Sequence, residues 1–434
     1  MAAPIPRFSF GHAPVGSAPG YPPRITPGAV PLEAAQQPPV DGFKPQDPPM
    51  AGKLIANFNA MAVAQQTLIL DKLNSKLGLT PTEHLDKPGS LVVIDGFHKD
   101  SEVEPHGQTV AESARGQGFK GNIIPSRHRG TEEYEKLAEN LEARQRRNIS
   151  PDEFKQLLTQ DIVLNQSALL HSAARRLEGL EEAGLHHSAV NLSLGHSQAD
   201  WVTTRYMEAG AAWHGGADQP KVIATLDNYA RALDLNKDHL MSEYPAISGP
   251  ERQKFQQALV DLARTSVEGS PPLGELRKSY DRAVHRLEER HNSVVISAGN
   301  SGDVLPFLRE DAHGREIKIG PGFYNNILAN SETTTVGATI RQDGREKKAS
   351  YTSEFPGVSI YANGDVVRGD ETARGTSFAS PRVAAVMASL HQLYPEKSSA
   401  EIECMLKEQM TEQMYGASAL DSFGAEQFLS NYTS

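Results

Sequence analysis

Short apolar runs alternate with long amphipathic stretches along this chain. Leu91-Val92-Val93-Ile94, Ala189-Val190-Asn191-Leu192 and Ser293-Val294-Val295-Ile296 are brief and rich in β-branched or aliphatic residues. Each leads into a polar or glycine-containing turn. Continuous apolarity over so few residues predicts strands buried on both faces, as in a parallel sheet. Thr333-Thr334-Thr335-Val336-Gly337-Ala338 and Val358-Ser359-Ile360-Tyr361 predict two more strands. Between them the spacing turns helical. Ser150-Pro151-Asp152-Glu153 combines a cap, a proline at the first helical position and a glutamate at the third. The apolar positions Phe154, Leu157, Leu158, Ile162, Leu169, Leu170, Ala173, Leu177 and Leu180 then mark long helices. Phe255, Leu259 and Leu262 form one later helical face, and Leu276, Tyr280, Val284 and Leu287 another. Val383 to Leu390 is small and apolar all round, the pattern of a fully buried helix. A last helix is expected from Ser398 or Ser399, with Glu401 placed for a capping box. Strands alternating with helices predict an α/β protein with a mostly parallel central sheet.

The flanks read differently. Residues 1 to about 50 hold 13 of the 28 prolines and cannot bury enough apolar surface to fold, so a disordered arm is expected there. Residues 51–84 carry Leu54, Phe58, Met61, Leu68 and Leu73, a helical lead-in to a domain over 85–434. The opening residues contain Pro4 and Pro6 and no apolar h-region. A cytoplasmic location is therefore expected, with export by a signal-peptide-independent system as the alternative. At 434 residues with 38% hydrophobic and 22% charged content, the chain is globular but polar. It has no run approaching eighteen apolar residues, hence no expected transmembrane segment. A net charge of -11 argues against nucleic acid as a partner. The single cysteine, Cys404, excludes intrachain disulfides and cysteine-based zinc sites.

Chemistry-bearing residues gather at the ends of the predicted strands. Asp95 closes the first, where functional groups of α/β sheets collect. His106-Gly107 follows eleven residues later at an expected helix start. Asp100 offers a second carboxylate nearby, but a buried strand fixes Asp95 and a polar loop would not fix Asp100. Asn300 ends Ile296-Ser297-Ala298-Gly299-Asn300. Ser377, in Gly375-Thr376-Ser377-Phe378-Ala379-Ser380-Pro381, opens the apolar helix, where unpaired N–H groups and the dipole favour an anion. Pro381 is expected in the opening turn, where its missing N–H does no harm.

In the order Asp95, His106, Asn300, Ser377, these motifs resemble the subtilase family of serine peptidases. The Gly375–Pro381 stretch matches the family's nucleophile motif, and Ile296–Asn300 its oxyanion-asparagine motif. Val190 to Gly195 looks like its substrate-binding strand, and Thr335–Ala338 like the strand after the asparagine. The resemblance covers roughly 85–410 and implies a subtilisin-like three-layer fold. It implies Ser377 as nucleophile, His106 as base, Asp95 as its orienting acid, and Asn300 with the Ser377 N–H as the oxyanion hole. Ser193, Leu194, Gly195, Ala298 and Gly299 would bind an extended peptide or protein substrate.

The chain departs from the family pattern in places. Gly96-Phe97 follows the aspartate where the family has Thr/Ser-Gly. His106-Gly107-Gln108-Thr109 lacks the family's second histidine. The interval between Ser193 and Asn300 is long, so a helical insertion is expected at about 200–285. No cofactor is expected: calcium sites are common in the family, yet no acidic loop here has suitable ligand spacing. The reading is a serine endopeptidase working through an acyl-enzyme. The alternative is a binding or effector module of the same fold, with weak or no proteolysis, that holds its partner through the insertion and the arm.

Overall fold

The computed structural model describes residues 87–97, 106–127, 143–144, 147, 149–214, 227–243, 250–302, 323–342, 345–353, 357–368, 371–414, 417–421, 425–426 and 428–429. The expected arm and helical lead-in lie outside them. The core is a sheet of strands β1 (Leu91–Asp95), β2 (Ile123–Arg127), β3 (Ala189–Leu192), β4 (Ser293–Ser297), β5 (Thr333–Gln342), β6 (Arg345–Lys348), β7 (Ile360–Asn363), β10 (Thr411–Met414) and β11 (Ala417–Leu420). The order is β10-β11-β7-β5-β4-β3-β1-β2, with β6 on the far end of β5. All pairings from β11 to β2 along this order are parallel, while β10 with β11 and β6 with β5 are antiparallel. The expected mostly parallel, three-layer α/β arrangement is present. A separate hairpin, β8 (Asp365–Arg368) with β9 (Glu371–Arg374), lies off the sheet.

Side chains of period two explain the layers. Val92 and Ile94, Val190 and Leu192, and Val294 and Ile296 point to one face. There they pack on helix α2 (Pro151–Glu182) and helix α6 (Pro271–Glu288). Leu91, Val93, Ala189 and Val295 point to the other. That face is covered by α1 (His106–Gly116), α7 (Thr376–Leu393) and α8 (Ser399–Gln409). The caps read in the sequence form as expected. Ser150 Oγ accepts from Glu153 N, Pro151 opens α2, and Ser398 with Glu401 makes a full capping box on α8.

Between β3 and β4 the chain runs through α3 (Gln198–His214), α4 (Lys237–Glu243), α5 (Pro250–Glu268) and α6. The first three share a second core with the start of α2. It is built from Phe154, Leu158 and Ile162 against Trp201, Tyr206, Tyr229, Leu240, Phe255 and Leu259. Helix α6 instead packs on the sheet. Strand β2 had no alternating or continuous apolar signal, because Pro125 interrupts it. It stands at the sheet edge, where a missing N–H is tolerated.

Candidate active site

Parallel strands put their carboxyl ends on one rim of the sheet, which brings Asp95, Ser193–Gly195 and Ala298–Asn300 together. Helix α1 starts at His106 and packs back over β1 through Gly107 N, which donates to Gly96 O at 3.0 Å. This places His106 Nδ1 2.8 Å from Asp95 Oδ1, with both side chains buried. A carboxylate only accepts, so Nδ1 carries the proton and Nε2 is left as the basic nitrogen of the neutral ring. Asp95 Oδ1 also accepts from Gly96 N at 2.6 Å. Burial disfavours the His106 imidazolium, but the charge and hydrogen bond of Asp95 outweigh it, and the ring titrates above the ordinary value. Phe97 fills the space over Gly107: a Cβ there would come within 2.8 Å of its ring. Asp100 lies outside the described residues.

Ser377 is the second residue of α7 and is buried. The His106 ring meets Phe378 with centroids 5.5 Å apart, beside the first turn of that helix. Pro381 is not in the opening turn as expected; it is the sixth residue of α7 and lies inside the helix. Its missing N–H therefore withholds the helical donor from the carbonyl four residues back, that of Ser377. Ser193 Oγ supplies the replacement, donating to Ser377 O at 2.8 Å, while Asn191 Nδ2 donates to Ser193 Oγ at 2.8 Å. The next carbonyl, Phe378 O, accepts from Ser113 Oγ of α1 at 2.6 Å. Arg382 reinforces that contact by donating to Ser113 Oγ at 3.0 Å, Gln117 Oε1 at 3.3 Å and Asp365 O at 2.8 Å. The helix bearing Ser377 is thus tied to the segment after β3 and to the helix bearing His106.

Asn300 is clamped at its oxygen. Thr376 N and Thr376 Oγ1 donate to Asn300 Oδ1 at 2.9 and 3.0 Å, and Thr376 Oγ1 accepts from Gly299 N at 3.1 Å. The carboxamide nitrogen is turned the other way, over Gly375, where a Cβ would lie 3.4 Å from Nδ2. A planar amide held by its oxygen presents its N–H groups in a fixed direction, next to the Ser377 N–H, which faces the same side of Gly375.

Ladder pairing between β3 and β4 stops at Leu192 and Ile296. Beyond them, among the described residues, no backbone hydrogen bond joins Ser193–Gly195 to Ala298–Gly299. Gly195 and Gly299 have φ values of 148° and 105°, which favour glycine. Sequence reasoning missed three residues that shape this region: Ser113, Arg382 and Asn326. Arg382 had a readable signal, a charge inside an otherwise apolar helix. Ser113 and Asn326 had none. Among the described residues, no three His, Cys, Asp or Glu side chains gather as a metal site, and no helix is long and apolar enough to cross a membrane.

The subtilase family model matches residues 262–425, and over that segment the chain resembles the family. The match takes in Asn300 and Ser377; Asp95 and His106 precede it. No curated protein matches the chain. Among solved structures, similarity is found to a lanthipeptide protease at 11% identity and TM-score 0.38, covering 86% of this chain and 97% of that one. The nisin leader peptidase NisP from Lactococcus lactis is similar at 12% identity and TM-score 0.37, covering 82% and 92%. A cold-adapted subtilisin-like serine proteinase is similar at 14% identity and TM-score 0.35, covering 77% and 88%.

Proposed function

We propose that this protein is a serine endopeptidase that hydrolyses peptide bonds through an acyl-enzyme on Ser377. The observation that carries the reading is the buried 2.8 Å contact between Asp95 and His106, set against the helix that begins with Thr376-Ser377. His106 Nε2 takes the Ser377 Oγ proton as that oxygen attacks the substrate carbonyl. Asp95 holds the ring in the required tautomer and stabilises the imidazolium. The tetrahedral oxyanion is met by the Ser377 N–H and by Asn300 Nδ2. His106 then gives the proton to the leaving amine, and a water deacylates the serine by the same route. An extended peptide pairs with Ser193, Leu194 and Gly195 and passes its side chain between them and Ala298-Gly299. A fluorophosphonate probe is expected to label the wild-type protein at Ser377, and Ser377→Ala to abolish both labelling and peptide cleavage. A folded wild-type protein that resists the probe would overturn the proposal.

A further inference from the structure

We infer that Asn326 is a positioning residue that sets the substrate-pairing edge of Ser193–Gly195 against the oxyanion segment; this rests on the peptidase reading above. Past Leu192 and Ile296, no backbone hydrogen bond joins the two segments among the described residues. The side chain of Asn326 bridges them instead. Its Nδ2 donates to Leu194 O at 3.1 Å and to Ser297 O at 2.6 Å, and its Oδ1 accepts from Leu328 N at 2.9 Å. The residue is only 2% exposed, and three of the four hydrogen-bonding capacities of the amide are met by backbone groups. Backbone bonds hold its own loop in place: Ile327 N donates to His196 O at 3.1 Å and Ala329 N to Asn326 O at 2.8 Å.

The chemistry selects asparagine at this position. One planar group must donate twice and accept once, which excludes serine and aspartate. Glutamine offers the same groups but is one methylene longer, and the space is closed by Gly195. A Cβ on Gly195 would lie 1.8 Å from Asn326 Nδ2, so the amide lies flat against the bare Cα. An extended chain turns successive carbonyls to opposite edges. Holding the Leu194 carbonyl on the Asn326 side therefore leaves the Ser193 and Gly195 backbone groups for the other edge, where an incoming strand would pair. The same amide nitrogen holds Ser297, three residues before Asn300. Asn326 thereby fixes the distance between the groups that grip the peptide backbone and the group that meets the oxyanion. It matters to an extended peptide and much less to a small ligand that meets Ser377, His106 and the oxyanion groups without pairing along Ser193–Gly195.

The two kinds of ligand supply the test. Wild type, Asn326→Ala and Asn326→Asp are compared in fluorophosphonate labelling and in cleavage of an extended fluorogenic peptide chosen by library profiling, with thermal unfolding recorded for each. Asn326→Asp keeps the shape and the Leu328 bond but turns a carboxylate on two carbonyls. The variants are expected to lose about 10–100-fold in kcat/KM on the peptide, mostly through KM, for the two donations removed. Their labelling rates should stay within about 3-fold of wild type. Equal losses in labelling and peptide cleavage would mean general structural damage and overturn the inference, as would variants that cleave the peptide like wild type. If alanine does not fold, Asn326→Ser, which keeps one donor, is expected to show the same split at smaller size. Wild-type protein that fails to label would overturn the peptidase reading itself; labelled wild type with unaffected variants overturns only this one.

Discussion

Asp95→Asn separates the two influences on His106. In the native site burial pushes the imidazole down, and the charge and hydrogen bond of Asp95 push it up by more. Asparagine keeps the shape but removes the charge, and its amide can hold the ring in the wrong tautomer. With only burial left, His106 should titrate below the ordinary imidazole value of about 6.5 instead of above it. Exchange of this aspartate in a serine-protease triad lowers turnover about 10⁴-fold, or about 5 kcal/mol of transition-state stabilisation. The assay is the second-order rate of fluorophosphonate labelling between pH 4 and 9. The wild-type rate should fall as acid protonates His106, with its midpoint above the ordinary value. The variant should be slower at every pH, with a midpoint displaced to more acid pH. Stability should move with it. A raised native pKa contributes stability that is complete below the unfolded value and lost as pH rises through the native one. In the variant that contribution reverses sign. An acid midpoint that stays in place or rises, or a rate loss under about tenfold, would refute the assignment of Asp95 as the group that orients and charges His106.

Two further outcomes follow from the same geometry. In the proposed mechanism the Asn300 amide meets charge that exists only in the transition state, so Asn300→Ala should lower kcat by about 10²–10³ with little change in KM. Thr376→Val should give a smaller loss of the same kind by removing one of the two donors that hold Asn300 Oδ1, and Thr376→Ser should restore it; steady-state kinetics on one peptide check all three. In the last turn of α7, His391 is fully buried with Nε2 2.8 Å from Ser293 Oγ, and burial with neighbouring His187 and His291 pushes it down to about 3. A depressed native pKa means that the unfolded chain takes up the proton first, so stability should fall as pH drops from about 6.5 towards 3, by at most about 1.4 kcal/mol per pH unit from this group. His391→Gln should flatten that slope in urea unfolding followed in a Ser377→Ala background, which prevents self-digestion; an unchanged slope would assign the acid sensitivity elsewhere.

Much of this was open to sequence reading because local rules governed it. Short aliphatic runs that end in polar or glycine-containing turns are too brief for helices and read as buried strands, so β1, β3 and β4 were legible, and with them the rim where Asp95 and Asn300 stand. The caps at Ser150 and Ser398 were legible because capping is a contact between residues three apart. Elements whose reason lies elsewhere in the chain were not. Strand β2 contains a proline that only an edge position allows. The place of α6 against the sheet, apart from the core shared by α3, α4 and α5, is a matter of packing that the helical period does not encode.

Pro381 shows the division most clearly. The sequence determined that a proline follows Ser377 by four residues, and hence that one carbonyl near the serine lacks its helical donor. Only the tertiary structure decided that Ser193, nearly two hundred residues earlier, would satisfy it. The same holds for Arg382 with Ser113, and for Asn326 with Leu194 and Ser297. Residue types and short spacings determined which groups could react. Contacts between distant segments, which no local pattern records, decided how those groups are held in register.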